Sequence, residues 1–212
     1  MPKALLFDFD GVIVLSEHPR FKIMQRIARD NGLEIPDDYF KKLVGTTTRN
    51  FFATYFSSLD PEVTEQIIRD YSAEFKDNII DHVTPVRDTT EFIKQYRGNL
   101  VLGVVSGNDT KVLHVMLEHL GLKDRFSLIL GKEHVTTHKP NPAVYILAAK
   151  QLGLEPKDCI AIEDSVSGVS AGTSAGLEVY VFLNGLNDQS EFDHLPIAGF
   201  VRSAQDITDI IS

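Results

Sequence analysis

Four apolar runs in this 212-residue chain end in side chains able to move a phosphoryl group. In the first, residues 3–13, Leu5, Leu6, Phe7 and Phe9 form the near-continuous apolar segment of a parallel strand buried on both faces, with Asp8, Asp10 and Gly11 at its end. Ligands gather at the carboxyl ends of strands in open α/β sheets, and a glycine there permits a tight exit turn. Two carboxylates two residues apart repel one another, so a half-buried pair requires a cation or a shared proton. Aspartates also suit an ordinary strand-to-loop turn, but later runs end in complementary groups: Ser106 followed by Gly107 and Asn108, Lys139 between His138 and Pro140, and Glu163 with Asp164. Each has a plain structural reading, as a helix cap, a solvated lysine and an acidic helix start. Together they specify one chemistry. The carboxylates suit a hard cation such as Mg²⁺, which takes one or two carboxylates plus water and substrate phosphate. Lys139, Ser106 and the N–H groups of the helix start could surround phosphoryl oxygens. Asp8 would then attack phosphorus, aspartate being a competent covalent nucleophile.

Elements of a definite kind must position these groups. From residue 88 the pattern alternates: helix 88–96, strand 100–105, helix 109–120, strand 126–130, a helix from Asn141 and Pro142 to near Gly153, strand 159–162, helix 165–175, strand 177–182, a weaker strand near Phe200 and a last helix from Ser203. Such alternation predicts a parallel sheet. Asp10 and Ser106 are 96 positions apart, whereas a βαβ unit needs about 30, so residues 16–84 are an insertion. Within it, Phe21, Met24, Ile27 and Ala28 recur at helical spacing. Asp37 is expected to cap a short helix ending at Gly45, and residues 48–57 carry Phe52, Tyr55 and Phe56 on one side. Asp60 caps a helix with Pro61 in its first turn and Val63, Ile67, Ile68, Tyr71 and Phe75 on one face. The expected fold is α/β, a Rossmann-like parallel sheet built from residues 1–15 and 85–212, with an α-helical cap domain at 16–84. Inserted after the first strand, the cap would leave from the sheet edge that carries Asp8 and Asp10, where it could act as a lid.

Composition bounds the partners. With 43% hydrophobic and 24% charged residues the chain is an ordinary globular protein, and it has no apolar run near the ~20 residues of a membrane span. A net charge of -9 without a basic stretch argues against nucleic acid, and it obliges any phosphate site to build its own positive field. One cysteine, Cys159, cannot form an internal disulfide, which fits a cytoplasmic setting and a buried apolar role. The histidines, His82, His114, His119, His134 and His194 among them, form no metal constellation and read as surface or packing residues.

Asp8-x-Asp10-Gly11-Val12, Ser106 after an apolar strand, Lys139-Pro140-x-Pro142 and Glu163-Asp164-Ser165-x-x-Gly168-x-x-Ala171-x-x-x-Ala175-Gly176 resemble the four motifs of the haloacid dehalogenase superfamily. Within it the chain is most similar to the β-phosphoglucomutase-like and phosphoglycolate-phosphatase-like hydrolases with a helical cap, and the resemblance covers nearly the whole chain. It implies that Asp8 is the nucleophile and Asp10 the general acid/base, and that Ser106 and Lys139 hold phosphoryl oxygens while Lys139 offsets the charge of Asp8. Gly11, Gly107 and Asn108 then count as substrate-binding positions. Mg²⁺ is implied at Asp8, the Asp10 carbonyl and Asp164, with Glu163 a ligand directly or through water. Gly45-Thr46-Thr47-Thr48-Arg49 resembles the family's G-x-x-x-R loop, in which Arg49 would reach a second anionic group. Leu15 before Ser16 departs from the family's usual aspartate, and Arg20 stands where the sugar-phosphate mutases have histidine, with His18 nearby.

The expected activity is a Mg²⁺-dependent phosphatase of a small phosphorylated metabolite, a sugar phosphate or a phosphoglycolate-like acid, through an aspartyl phosphate. A phosphomutase is the nearest alternative. A receiver-like phosphate-accepting module is the alternative of another class, disfavoured by the inserted cap and by Asp10. Selectivity is expected from Arg49, Phe51, Phe52 and Tyr55, although aromatic residues at helical spacing are commonly core.

Overall fold

The computed structural model describes residues 1–44, 46–77, 80 and 83–212, and of residues 75–77 the backbone alone. Gly45, His82 and the Phe75 side chain, which entered the expectations above, lie outside the described residues. The chain forms two compact units, Met1–Leu15 with Thr84–Ser212, and Ser16–Val83.

β1 (Ala4–Phe7) and β2 (Val14–Leu15) precede the helical unit, which holds α1 (Glu17–Asp30), α2 (Phe40–Leu43), α3 (Thr48–Tyr55) and α4 (Pro61–Asp77). β3 (Thr84–Pro85) then pairs antiparallel with β2, Val14 opposite Pro85 and Leu15 opposite Thr84, so the two ends of the insertion meet in one short ribbon. The rest alternates as α5 (Arg87–Gln95), β4 (Val101–Val105), α6 (Thr110–His119), β5 (Leu128–Leu130), α7 (Ala143–Gln151), β6 (Cys159–Glu163), α8 (Val166–Ala175), β7 (Glu178–Phe182), β8 (Gly199–Val201) and α9 (Ala204–Ile210).

Six strands form a parallel sheet in the order β5-β4-β1-β6-β7-β8. β1 lies at the switch point, with the chain filling one side through β4 and β5 and the other through β6 to β8, which is where open α/β sheets place their ligands. Registry is the useful detail. Phe7 stands opposite both Val104 and Ile162, so Asp8 is level with Val105 and Glu163, and Ser106 is one step beyond. Ala4, Leu5, Leu6 and Phe7 are all fully buried. Leu6 faces a core with Val105, Tyr145 and Ala161, while Phe7 meets Phe92 and Phe126 at ring-centroid distances of 6.2 and 6.3 Å. Burying such side chains stabilises by about 1.5–3 kcal/mol each, which offsets the cost of holding ionisable groups at the end of the same strand.

Two local expectations are corrected. β1 stops at Phe7, because the chain turns at Gly11, where the Gly11 N–H donates to Val14 O at 2.7 Å. Asp37 caps no helix. It opens a short 3-10 turn without a side-chain capping bond, since its carboxylate is drawn to Lys22 and Gln25, each donating at 3.0 Å. Asp60 does cap α4, accepting from the Glu62 N–H at 2.7 Å, and Cys159 is buried at the start of β6.

Candidate active site

Three neighbouring strand ends and one loop converge on Lys139. Its Nζ donates to Asp8 Oδ1 at 2.6 Å, to Glu163 Oε1 at 2.6 Å and to the Val105 carbonyl at 3.0 Å. An ammonium has three hydrogens, and these three acceptors use them all. The expectation that Lys139 holds phosphoryl oxygens is therefore refined: a phosphoryl oxygen would have to displace one of these partners.

Glu163 is fully buried. Its Oε1 also accepts from the Tyr145 hydroxyl at 2.6 Å, and Ser165 Oγ lies 3.4 Å from Oε2. Gly168 makes room for it, since a Cβ at that position would stand 2.0 Å from Glu163 Oε2. Burial pushes the Asp8 carboxyl up to about 8, against the pull of Lys139 and with repulsion from Glu163 and Asp10 added. Burial alone would lower Lys139, but Asp8 and Glu163 hold it well above the usual lysine range. The two directions differ in cause: burial dominates at Asp8, and the two carboxylates that share the ammonium dominate at Lys139.

The remaining groups lie around this pair. Ser106 is buried, and its Oγ accepts from the Asn108 N–H at 3.1 Å. The Asn108 side-chain amide donates to Asp10 Oδ2 at 2.5 Å, so Asn108 ties the serine loop to the second aspartate. Of the helix-start N–H groups, that of Asn108 is already engaged, and that of Thr110 donates to Glu133 at 2.9 Å. A Cβ at Gly107 would meet nothing within 4 Å. Asp164 Oδ2 accepts from Asn184 Nδ2 at 2.9 Å, and its carbonyl accepts from Asn187 Nδ2 at 2.8 Å.

One carboxylate oxygen each from Asp8, Glu163 and Asp164 lie within 4.8 Å of one another. This all-oxygen donor set suits a hard divalent cation, and the surplus negative charge around Lys139 calls for one. Asp8 and Asp164 fit as ligands more readily than Glu163, whose Oε1 already takes two donors.

Gly11 is essential to this packing. Its φ is +76°, and a Cβ there would lie 1.7 Å from Asp164 Oδ2. Gly11→Ala is expected to lower kcat/KM at least ~10²-fold by displacing Asp164. Left-handed strain should cost a further ~1–2 kcal/mol of stability. Steady-state kinetics and urea unfolding measure the two effects separately.

In the helical unit, Phe51 and Phe52 are buried in that unit's own core, and Tyr55 is 41% exposed. Of the aromatic residues expected to select substrate, two are therefore packing residues. Arg49 is exposed and pairs with Glu65 through its two terminal guanidinium nitrogens, Nη1 to Oε1 and Nη2 to Oε2, the latter at 3.1 Å. The sequence reading missed Tyr145, Asn184, Asn187 and Glu133. Tyr145 stood six positions after Lys139 with its hydroxyl as a signal, while Asn184 and Asn187 lie in a loop and Glu133 in a short 3-10 turn, with no distinguishing pattern.

Comparison with known proteins identifies the family and related chains. A family model described as haloacid dehalogenase-like hydrolase matches residues 5–182. The fructose-1-phosphate phosphatase YqaB of Escherichia coli (strain K12) is 26% identical over 179 residues, covering 82% of this chain and 93% of that protein. A phosphorylated carbohydrates phosphatase of Thermotoga maritima is 28% identical over 196 residues, covering 88% of each. Among solved structures, the haloacid dehalogenase-like family hydrolase SP0104 of Streptococcus pneumoniae, 17% identical, shares the fold with a TM-score of 0.86 over 100% of this chain and 99% of that one.

Proposed function

Because this chain belongs to the haloacid dehalogenase-like hydrolases, we propose that it is a Mg²⁺-dependent phosphatase of a small phosphorylated metabolite, a sugar phosphate before a phosphoglycolate-like acid. The observation that carries the reading is the buried Asp8 carboxylate held at 2.6 Å by Lys139 beside Glu163 and Asp164. Its sugar-phosphate preference is supported by the relatives named above.

Asp8 supplies the attacking oxygen. A bond forms from it to phosphorus as the bond from phosphorus to the ester oxygen breaks, and Asp10 gives that oxygen its proton. Water then attacks the aspartyl phosphate, Asp10 takes a proton from it, and free phosphate leaves with Asp8 restored. Asn108 holds the Asp10 carboxylate in place for both transfers. Ser106 and Gly107 line the position of the phosphoryl oxygens, and Lys139 favours the ionised form of Asp8 against its burial as one of its three bonds exchanges. A bound Mg²⁺ would be held by Asp8, the Asp10 carbonyl and Asp164, with Glu163 directly or through water, and it supplies charge neutralisation for the phosphoryl oxygens. Positioning and charge account for most of the catalysis of phosphoryl transfer. The helical unit acts as the cap that selects substrate, and Arg49 contacts a second anionic group by exchanging Glu65 for it.

The test is phosphate release from a panel of phosphorylated metabolites. Turnover of one or a few sugar phosphates is expected, lost in EDTA, restored by Mg²⁺ and reduced by ~10²–10⁴-fold in Asp10→Ala. Full activity in EDTA would overturn the metal. Transfer to a second hydroxyl without release would make the protein a mutase, and a phosphoenzyme stable for many minutes would make it a phosphate-accepting module.

A further inference from the structure

Beyond the three strand ends and the Lys139 loop, the loop after β7 brings the Asn184 side chain into the site. Asn184 Nδ2 donates to Asp164 Oδ2 at 2.9 Å and to the Gly11 carbonyl at 3.0 Å. Both partners are acceptors, and Asn184 Oδ1 accepts from the Leu186 N–H at 2.9 Å, so the orientation of the amide is set by its own loop. A second amide steadies that loop, Asn187 Nδ2 donating to the Asp164 carbonyl at 2.8 Å and the Phe182 carbonyl at 2.9 Å.

The two acceptors of Asn184 belong to the segments that would hold the proposed cation. Asp164 would be a ligand, and Gly11 follows the residue whose carbonyl would be another. Gly11 and Asp164 are in such close approach that only a glycine fits between the backbone and the carboxylate. A carboxylate this close to a neighbouring chain can still rotate about its last torsion, and one hydrogen bond from a fixed donor removes that freedom. Partners of metal ligands that act in this way typically contribute 10–100-fold in metal affinity.

We propose that Asn184 is a positioning residue of the cation site, pinning the Asp164 carboxylate to the Gly11 turn so that the ligands from β1 and β6 keep one spacing. The inference rests on the metal-dependent reading above. It assigns Asn184 no contact with substrate, so its loss should be felt in binding of the ion and not in recognition of the phosphate ester.

The experiment titrates Mg²⁺ into wild type and Asn184→Ala by calorimetry in the absence of substrate, and then measures kcat and KM across Mg²⁺ concentrations. The variant is expected to bind Mg²⁺ about 10–100-fold more weakly, with a KM for the ester that does not move and a kcat that recovers as Mg²⁺ is raised. Asn184→Ser, which keeps one donor, should fall between the two, and it serves in place of the alanine variant if that one does not fold. Mg²⁺ affinity within twofold of wild type in a folded variant would overturn the role of Asn184 alone. Absence of any Mg²⁺ binding in wild type would overturn the metal-dependent reading, and this inference with it.

Discussion

Asp8→Asn is expected to lower kcat by roughly 10⁴- to 10⁶-fold, the scale on which enzymes lose activity when the covalent nucleophile is removed. An amide oxygen cannot form the phosphoryl ester, but it can still accept from Lys139 at the position Oδ1 now holds. Folding should therefore survive. Asp8 carries a carboxyl raised to about 8, first by burial, and a group whose folded-state value lies above its unfolded one weakens the fold once it ionises. The neutral amide removes that penalty, so the variant should be as stable as wild type or more stable by up to about 2 kcal/mol. Phosphate release and urea unfolding, measured on the same preparation, test both halves. Activity near the wild-type rate would exclude Asp8 as the nucleophile, and a large loss of stability would mean that Asp8 holds the fold together more than it is strained by it.

Lys139→Ala is expected to produce the largest loss of stability of any change at the site. It leaves Asp8 and Glu163 buried with no cation, and removing one member of a buried ion pair typically costs about 3–5 kcal/mol. The pH dependence has a definite sign. With its folded-state value raised, Asp8 contributes no penalty below its ordinary value of 3.8, and the penalty grows as pH rises towards about 8; loss of the Lys139 pull extends that window upward. In EDTA the gap between the variant and wild type should therefore widen above about pH 8, where the wild-type penalty has levelled off and the variant's still grows, as read by urea midpoints across the range. Pairing Lys139→Met with Glu163→Gln should return much of the stability, because apolar and neutral replacements of buried ion pairs are commonly tolerated, while leaving the enzyme inactive. Equal stability of wild type and Lys139→Ala at every pH would show that the ammonium does not hold these carboxylates.

Both expectations depend on the same contacts, and the sequence contained some of them and not others. The alternation of apolar runs with helical periods determined the parallel sheet and the insertion after the first strand, because buried parallel strands read as short continuous apolar segments. Asp8, Ser106 and Glu163 were legible as a group for the same reason: each ends or follows such a run, and a parallel sheet brings the carboxyl ends of its strands to one edge. Lys139 stood out through the prolines at 140 and 142.

What only the tertiary structure decided was which atom meets which. Tyr145 lies on α7 and reaches Glu163 across 18 positions, and Asn184 reaches Gly11 across 173. No local pattern encodes such contacts, because they follow from the packing of a helix on the sheet and from the course of a loop. The three bonds of Lys139 could not be counted from its neighbours in sequence either, since they depend on the registry that sets Asp8 level with Val105 and Glu163. The same holds for the errors. Asp37 has the residue type of a helix cap, yet Lys22 and Gln25, brought close by folding, compete successfully for its carboxylate. Phe52, Tyr55 and Phe56 had the spacing of a helical face, and the packing of the helical unit placed Phe52, with its neighbour Phe51, inside it. Residue types and their spacing specify the chemistry a chain can carry out. Distances of 2.6 Å and the sharing of one ammonium between two buried carboxylates arise only when the strands are side by side.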